Sequence, residues 1–148
     1  MMHPGGNRRS RKLAKADYEA LAQFRYLLRQ LASFSEAAAR AATLTTQQHQ
    51  ALLAIRGFPG RERITIGELA ERLNLRHHSV VGLIDRLGAR TLVRRRRDAV
   101  DGRRVLIELT SKGRKLLASL SVTHREELGR IAPLLQRLLA QVEGASSE

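Results

Sequence analysis

The sequence predicts a mainly α-helical fold with one small β-hairpin. Three observations predict this class. Apolar residues recur every three or four positions through most of the chain, two Thr-x-x-Gln/Glu motifs mark helix starts, and residues 92–110 place apolar runs on either side of a short turn. With 148 residues, 43% of them hydrophobic and 28% charged, the chain has the size and composition of one ordinary globular domain.

The N-terminal region divides into a tail and a long helix. Residues 1–15 are basic, contain no acid and are rich in turn-forming residues, so we expect a flexible tail, with one domain over residues 16–148. After Asp17, apolar side chains follow at helical spacing and predict an amphipathic helix over residues 17–42. These apolar side chains are Leu21, Phe24, Leu28, Leu31, Phe34 and Ala38.

Two capping boxes introduce a helix-turn-helix. Thr45 with Gln48, and Thr65 with Glu68, have the spacing at which each side chain satisfies the other residue's backbone N–H at a helix start. The helix after Thr65 is short and is broken at Asn74. A further helix over residues 77–90 is predicted from the apolar stripe Val80, Leu83, Ile84 and Leu87. Two short helices joined by a tight turn make a helix-turn-helix.

A hairpin and more helix complete the chain. Residues 92–97 and 103–109 are predicted as strands joined by a turn, which makes the unit over residues 45–110 a winged helix-turn-helix. Thr110 is expected to cap another helix, and Pro133 to start a last one through Leu134, Leu138 and Val142. Helices over residues 17–42 and 111–143 carry more apolar surface than so small a unit can cover, so they are predicted to form a homodimer. The residues expected at this interface are Leu21, Leu28, Leu31, Leu134 and Leu138.

Charge and composition favour duplex DNA as the partner. The net charge is +13, from 27 Lys and Arg against 14 Asp and Glu, and residues 76–104 alone hold nine arginines against three aspartates. Aromatic residues are only 3% of the chain, which argues against base-stacking binders of single strands or RNA. The residues that the predicted helix-turn-helix should present to the major groove are Arg76, His77, His78, Ser79, Val81, Gly82 and Arg86. The residues that the wing should present to phosphates and the minor groove are Arg94, Arg95, Arg96, Arg97, Arg103 and Arg104.

Three segments together resemble the multiple antibiotic resistance regulator (MarR) family of winged-helix transcription factors. They are SVVGLIDRLGARTLV, the turn DGRR and the exit VLIELTSKGRKLL, and the resemblance extends over nearly the whole chain. It implies a homodimer that binds a palindromic operator, usually as a repressor, and often releases DNA when a small apolar or weakly acidic effector binds. It also implies that Asp101 orients Arg103 in the wing.

The chain departs from this family at two positions. Gly82 stands where a polar or basic side chain is common, which weakens the expectation of base reading there. Thr91 stands where glycine is usual. Because a left-handed conformation strains a β-branched residue, we expect the preceding helix to end differently.

Other function classes have less support. His77 and His78 are adjacent and therefore point in different directions, and the chain has no cysteine, so neither a metal site nor a cofactor is predicted. No catalytic constellation is recognisable. An architectural DNA coater of low specificity remains the main alternative, and a membrane-surface or RNA-binding module the next. No apolar run is long enough to cross a bilayer or to act as a signal peptide, so we expect a cytoplasmic protein.

Overall fold

The computed structural model describes residues 12–145 and confirms the predicted class, helical with one antiparallel hairpin. The elements are α1 (Lys15–Ala41), α2 (Thr46–Arg56), α3 (Ile66–Leu73), α4 (His77–Ala89), β1 (Val93–Arg97), β2 (Val105–Leu109) and α5 (Ser111–Ala145). Within the described residues, no helix combines the length and the apolarity that a membrane span requires. Most of the predicted tail lies outside the described residues, and Lys15, assigned to that tail, already belongs to α1.

The two capping boxes form as predicted and start α2 and α3. The Thr45 hydroxyl accepts a hydrogen bond from the Gln48 backbone N–H at 3.1 Å, and the Gln48 side chain accepts one from the Thr45 N–H at 3.0 Å. Thr65 and Glu68 repeat this exchange at 3.1 and 3.0 Å. Each pair satisfies two N–H groups that a helix start leaves without partners. At the start of α5, the Thr110 hydroxyl likewise accepts a hydrogen bond from the Gly113 N–H at 3.1 Å, but Gly113 has no side chain to complete a capping box.

The core lies between the helix-turn-helix and the base of the hairpin. The apolar stripe of α4 is buried, which leaves the opposite side of that helix exposed. A short antiparallel bridge between Ile64 and Ile107 adds the segment before α3 to the edge of β2. The largest fully buried side chains are Leu52, Ile55, Ile64, Leu69, Val80, Leu83, Ile84, Leu87, Leu92 and Ile107.

The last helix differs from the prediction. Pro133 does not start a separate helix but lies inside α5, which runs without a break from Ser111 to Ala145. Proline interrupts one backbone hydrogen bond and crowds the carbonyl four residues earlier, yet a helix persists where its two halves pack on a common partner. Here α1 is that partner, because it packs along α5, where Ile131 is buried. Packing therefore outweighs the local preference of proline.

The end of α4 also differs from the expectation. Thr91 has a φ of 58°, so α4 ends in the left-handed conformation that a β-branched residue was expected to avoid. The Leu92 N–H bonds the Leu87 carbonyl at 3.0 Å and the Thr91 N–H bonds the Gly88 carbonyl at 2.9 Å, which is a Schellman motif. The fully buried Leu92 side chain stabilises this turn, so the burial of the following residue sets the conformation of Thr91.

Candidate nucleic-acid interface

The exposed side of α4 carries the residues predicted to meet the major groove. Five of these residues are exposed, namely Arg76, His77, His78, Ser79 and Arg86, and Val81 and Gly82 are half-buried. No described side chain caps the helix start, where Arg76 occupies the N-cap position. The first backbone N–H groups of α4 therefore point outward with the positive end of the helix dipole, an arrangement that suits a phosphate.

Arg86 lies across the surface of Gly82. A Cβ added to Gly82 would be 3.6 Å from Nη1 of Arg86, which is ordinary contact distance. The guanidinium group thus lies over Gly82, and a Cβ at this position would only be in van der Waals contact with it. This geometry places a long cationic side chain at the position where the sequence lacks a polar one.

The tip of the hairpin is fixed by its backbone. The Asp98 N–H bonds the Arg104 carbonyl at 2.9 Å, and the Arg104 N–H bonds the Asp101 carbonyl at 3.0 Å. The Asp101 carboxylate accepts a hydrogen bond from the backbone N–H of Arg103 at 3.1 Å, so its contact is with the main chain of that residue. Asp101 therefore shapes the turn that carries Arg103, and an orienting role toward the Arg103 guanidinium stays a prediction.

The wing arginines have different partners. Arg95 pairs with Asp85 of α4 at 2.5 Å and links the wing to that helix. Arg97 donates to the Gly102 carbonyl at 3.1 Å, and Arg104 lies 3.9 Å from a Glu68 carboxylate oxygen. Within the described part of the chain, the Arg103 side chain takes part in no ion pair. Among the tip arginines of the described chain, Arg97 and Arg103 thus have no carboxylate partner, whereas Arg104 lies near Glu68.

Glu108 organises the base of the wing and was not singled out from the sequence. Its carboxylate, 3% exposed, lies 2.6 Å from the Nε atoms of Arg63, Arg94 and Arg96. Burial by itself would raise the pKa of Glu108, but hydrogen bonds from Arg94 and Arg63, with their charges, outweigh burial and hold the pKa below its ordinary value. The hairpin register could have revealed Arg94, which is directly opposite Glu108. Arg63 could not have been found, because its neighbour Ile64 pairs with β2 over a long sequence separation.

A second cluster lies among α1, α2 and α5, away from the wing. His49 of α2 is buried, and its ring centre is 4.8 Å from that of His124 on α5. His124 donates through Nδ1 to the Leu120 carbonyl at 2.7 Å, and its Nε2 is 2.8 Å from the Ser35 hydroxyl of α1. Nδ1 of His49 has no hydrogen-bond partner among the described residues. Burial, followed by the nearby charge of His124, lowers the pKa of His49.

Comparisons with known proteins agree with this geometry. The family model described as MarR family matches residues 42–104, the segment that contains the helix-turn-helix and most of the wing. Transcriptional regulator HosA of Escherichia coli O157:H7 is 33% identical over 103 residues, which cover 67% of this chain and 74% of that protein.

Solved structures show the same fold. A MarR family protein from Bacillus stearothermophilus matches with a TM-score of 0.72 and 20% identity, covering 93% of this chain and 100% of its own. A mutant of MepR from S. aureus, bound to an oligodeoxyribonucleotide, matches with a TM-score of 0.63 and 20% identity, covering 92% and 98%. The match to the MarR family model and the similarity to HosA, together with this shared fold, show that the chain belongs to the MarR family of DNA-binding transcriptional regulators.

Proposed function

We propose that this chain represses transcription as a homodimer that binds a palindromic duplex operator. The observation that carries the proposal is the exposed, uncapped start of α4 next to a wing whose tip is cationic. In a winged helix-turn-helix, the second helix reads base edges in the major groove, and the wing reaches phosphates or the minor groove beside it. A repressor of this kind acts by occupying its operator.

The two parts of the proposed surface have different tasks. On α4, Arg76, His77, His78, Ser79, Val81, Gly82 and Arg86 form the face that meets the major groove, where base pairs differ in their hydrogen-bonding edges. At the wing tip, Arg97, Arg103 and Arg104 contact phosphates and the minor groove, where the potential is negative whatever the sequence. Specificity comes from α4 and much of the affinity from the wing.

Exposed apolar side chains support the homodimer. On α1, Leu21 is 51% and Leu28 is 40% exposed, and on α5 Leu134 is 37% exposed, whereas Leu31 and Leu138 are half-buried. A second copy would cover these side chains and place two α4 helices about one DNA turn apart, which requires an inverted-repeat operator. By analogy with the family, a small apolar or weakly acidic effector between the dimer helices and the winged domain would release DNA.

Binding to operator and scrambled duplexes at several salt concentrations tests the proposed interface. The operator is first selected from random DNA. Arg103→Ala should weaken binding to both duplexes and flatten the plot of log affinity against log salt by about one unit for each phosphate that the protein no longer neutralises. Ser79→Ala should cost about 1–3 kcal/mol on the operator if the serine hydroxyl bonds a base, and leave the scrambled duplex and the salt slope unchanged.

Arg137 is an exposed residue of α5, and Arg137→Ala is the charge-matched control. This variant should have the same salt slope as the parent protein. If Arg103→Ala behaves like this control, the wing does not bind phosphate. An operator-to-scrambled affinity ratio near one would instead favour the architectural alternative.

A further inference from the structure

At the base of the wing, Glu108 lies on β2, which has β1 on one side and the segment that contains Ile64 on the other. Arg94 is directly opposite Glu108, and Arg63 precedes the bridge residue Ile64, so the two arginines flank the carboxylate from neighbouring strands. Arg96 reaches it diagonally from β1. Opposite charges in register across strands stabilise a sheet and restrict the side chains that carry them.

These arginines lie on the face of the sheet that points away from α4. Ile107 and Leu109 are buried in the core, and because side chains alternate along a strand, Glu108 belongs to the opposite face. Arg95 lies on the core side of β1, where it reaches Asp85 of α4. The face that carries Arg94 and Arg96 is therefore separated from the recognition helix by the sheet itself.

We propose that Glu108 is a positioning residue, which holds Arg94 and Arg96 on the far face of the wing and leaves phosphate contact to Arg97, Arg103 and Arg104 at the tip. The inference rests on the proposed DNA binding and divides the four consecutive arginines by task. A single buried carboxylate with three cationic partners keeps the side chains of Arg94 and Arg96 from extending toward DNA. The negative charge of Glu108 also offsets part of the charge of these arginines, so the wing attracts DNA of any sequence less strongly than its number of arginines indicates.

A double-mutant cycle tests this division of tasks. Salt-dependent binding to a scrambled duplex is measured for the parent protein, for Arg94→Gln/Arg96→Gln, for Glu108→Gln, and for the triple variant. Arg94→Gln/Arg96→Gln alone should change the salt slope by less than about half a unit per protomer, because these side chains do not bind phosphate. Glu108→Gln should bind about threefold or more tightly at low salt, with a slope steeper by roughly one unit per protomer, because two arginines lose their partner.

In the triple variant, the increase in salt slope that Glu108→Gln causes should disappear. That coupling separates positioning from net charge, since a simple charge effect of Arg94 and Arg96 would be the same whether position 108 holds glutamate or glutamine. If Glu108 only stabilised the fold, Glu108→Gln would weaken binding. Thermal unfolding of each variant identifies loss of fold, and the Arg94→Gln/Arg96→Gln comparison stands even if Glu108→Gln unfolds.

Substitution of the tip arginines shows whether a negative result concerns the role of Glu108 or the proposed DNA interface as a whole. Arg97→Gln/Arg103→Gln should flatten the slope by about one unit in each protomer for every phosphate released. If that pair has no effect, the wing tip is not part of the interface and the proposed function is wrong in that respect. If the tip pair flattens the slope and Arg94→Gln/Arg96→Gln flattens it equally, the interface stands and the role assigned to Glu108 is overturned.

Discussion

At the scale of single residues, Gly113 has the least room for a side chain among the described glycines. It lies in the first turn of α5, where the Thr110 N–H bonds the Leu92 carbonyl at 3.1 Å and joins the helix start to the start of the hairpin. A Cβ on Gly113 would be 2.1 Å from that carbonyl oxygen. Because the obstacle is backbone, it cannot move aside as the end of a flexible side chain can.

Gly113→Ala should therefore lower the free energy of unfolding by about 3 kcal/mol or more, through overpacking and the separation of α5 from the hairpin. Gly88→Ala is the matched control. Nothing lies within 4 Å of a Cβ built at Gly88, so alanine there should stabilise α4 by about 0.5–1 kcal/mol through its helix propensity. Urea unfolding at neutral pH measures both. Equal stability of the two variants would show that the close approach is absent in solution.

At the scale of elements, the buried His49 and His124 link α2, α5 and α1, and we expect the stability of this packing to depend on pH. His49 lies in α2 against His124 of α5, which in turn contacts Ser35 of α1. Burial, with the charge of His124, lowers the pKa of His49, so the folded state prefers the neutral ring. The unfolded chain takes up the proton near the ordinary histidine pKa of about 6.5.

The stability from a neutral His49 should thus be complete above about pH 6.5 and be lost as the pH falls from there to the lower folded pKa, by at most about 1.4 kcal/mol per pH unit. His49→Leu, which keeps an apolar side chain there, should flatten the fall in unfolding free energy between about pH 7 and 5. His77→Leu, at an exposed position, should retain the parent pH profile. If the unfolding free energy of His49→Leu depended on pH as it does in the parent protein, His49 would not be the source of this pH dependence.

At the scale of the whole molecule, α1 and α5 pack together yet leave apolar side chains uncovered. Besides the leucines named for the proposed dimer, Leu128 and Leu139 of α5 are 46% and 53% exposed. Exposed apolar side chains concentrated on two packed helices are the surface that we propose to form the dimer interface. A second copy of the chain can cover it with the same residues on each side, as two-fold symmetry requires.

Leu21→Glu should raise the dimer dissociation constant at least about tenfold, which corresponds to about 1.4 kcal/mol, because a charge would be buried at the interface. Leu53 is the matched control, since it is 49% exposed on α2, against 51% for Leu21 on α1. Leu53→Glu should leave the dimer intact. Sedimentation equilibrium across micromolar concentrations measures both constants. A parent protein that sediments as a monomer throughout would overturn the proposed dimer.

The sequence by itself determined those features that depend on residues within one or two turns of each other. The capping boxes at Thr45 and Thr65, the apolar stripe of α4 and the break at Asn74 all follow from spacing along a helix, and each formed as predicted. The hairpin followed from two short strands joined by a turn. From these elements and the surplus of arginine, both the fold class and a DNA-binding function could be predicted.

The tertiary structure alone decided how distant residues meet. Arg63 and Glu108 are 45 positions apart, and Ser35 and His124 are 89 apart, so neither contact leaves a periodic signal in the sequence. Packing also reversed two local expectations. Pro133 stays inside α5 because α1 supports that helix, and Thr91 takes a left-handed conformation because Leu92 is buried after it. Burying apolar surface stabilises by more than one proline or one strained residue costs, so packing prevails over local preference.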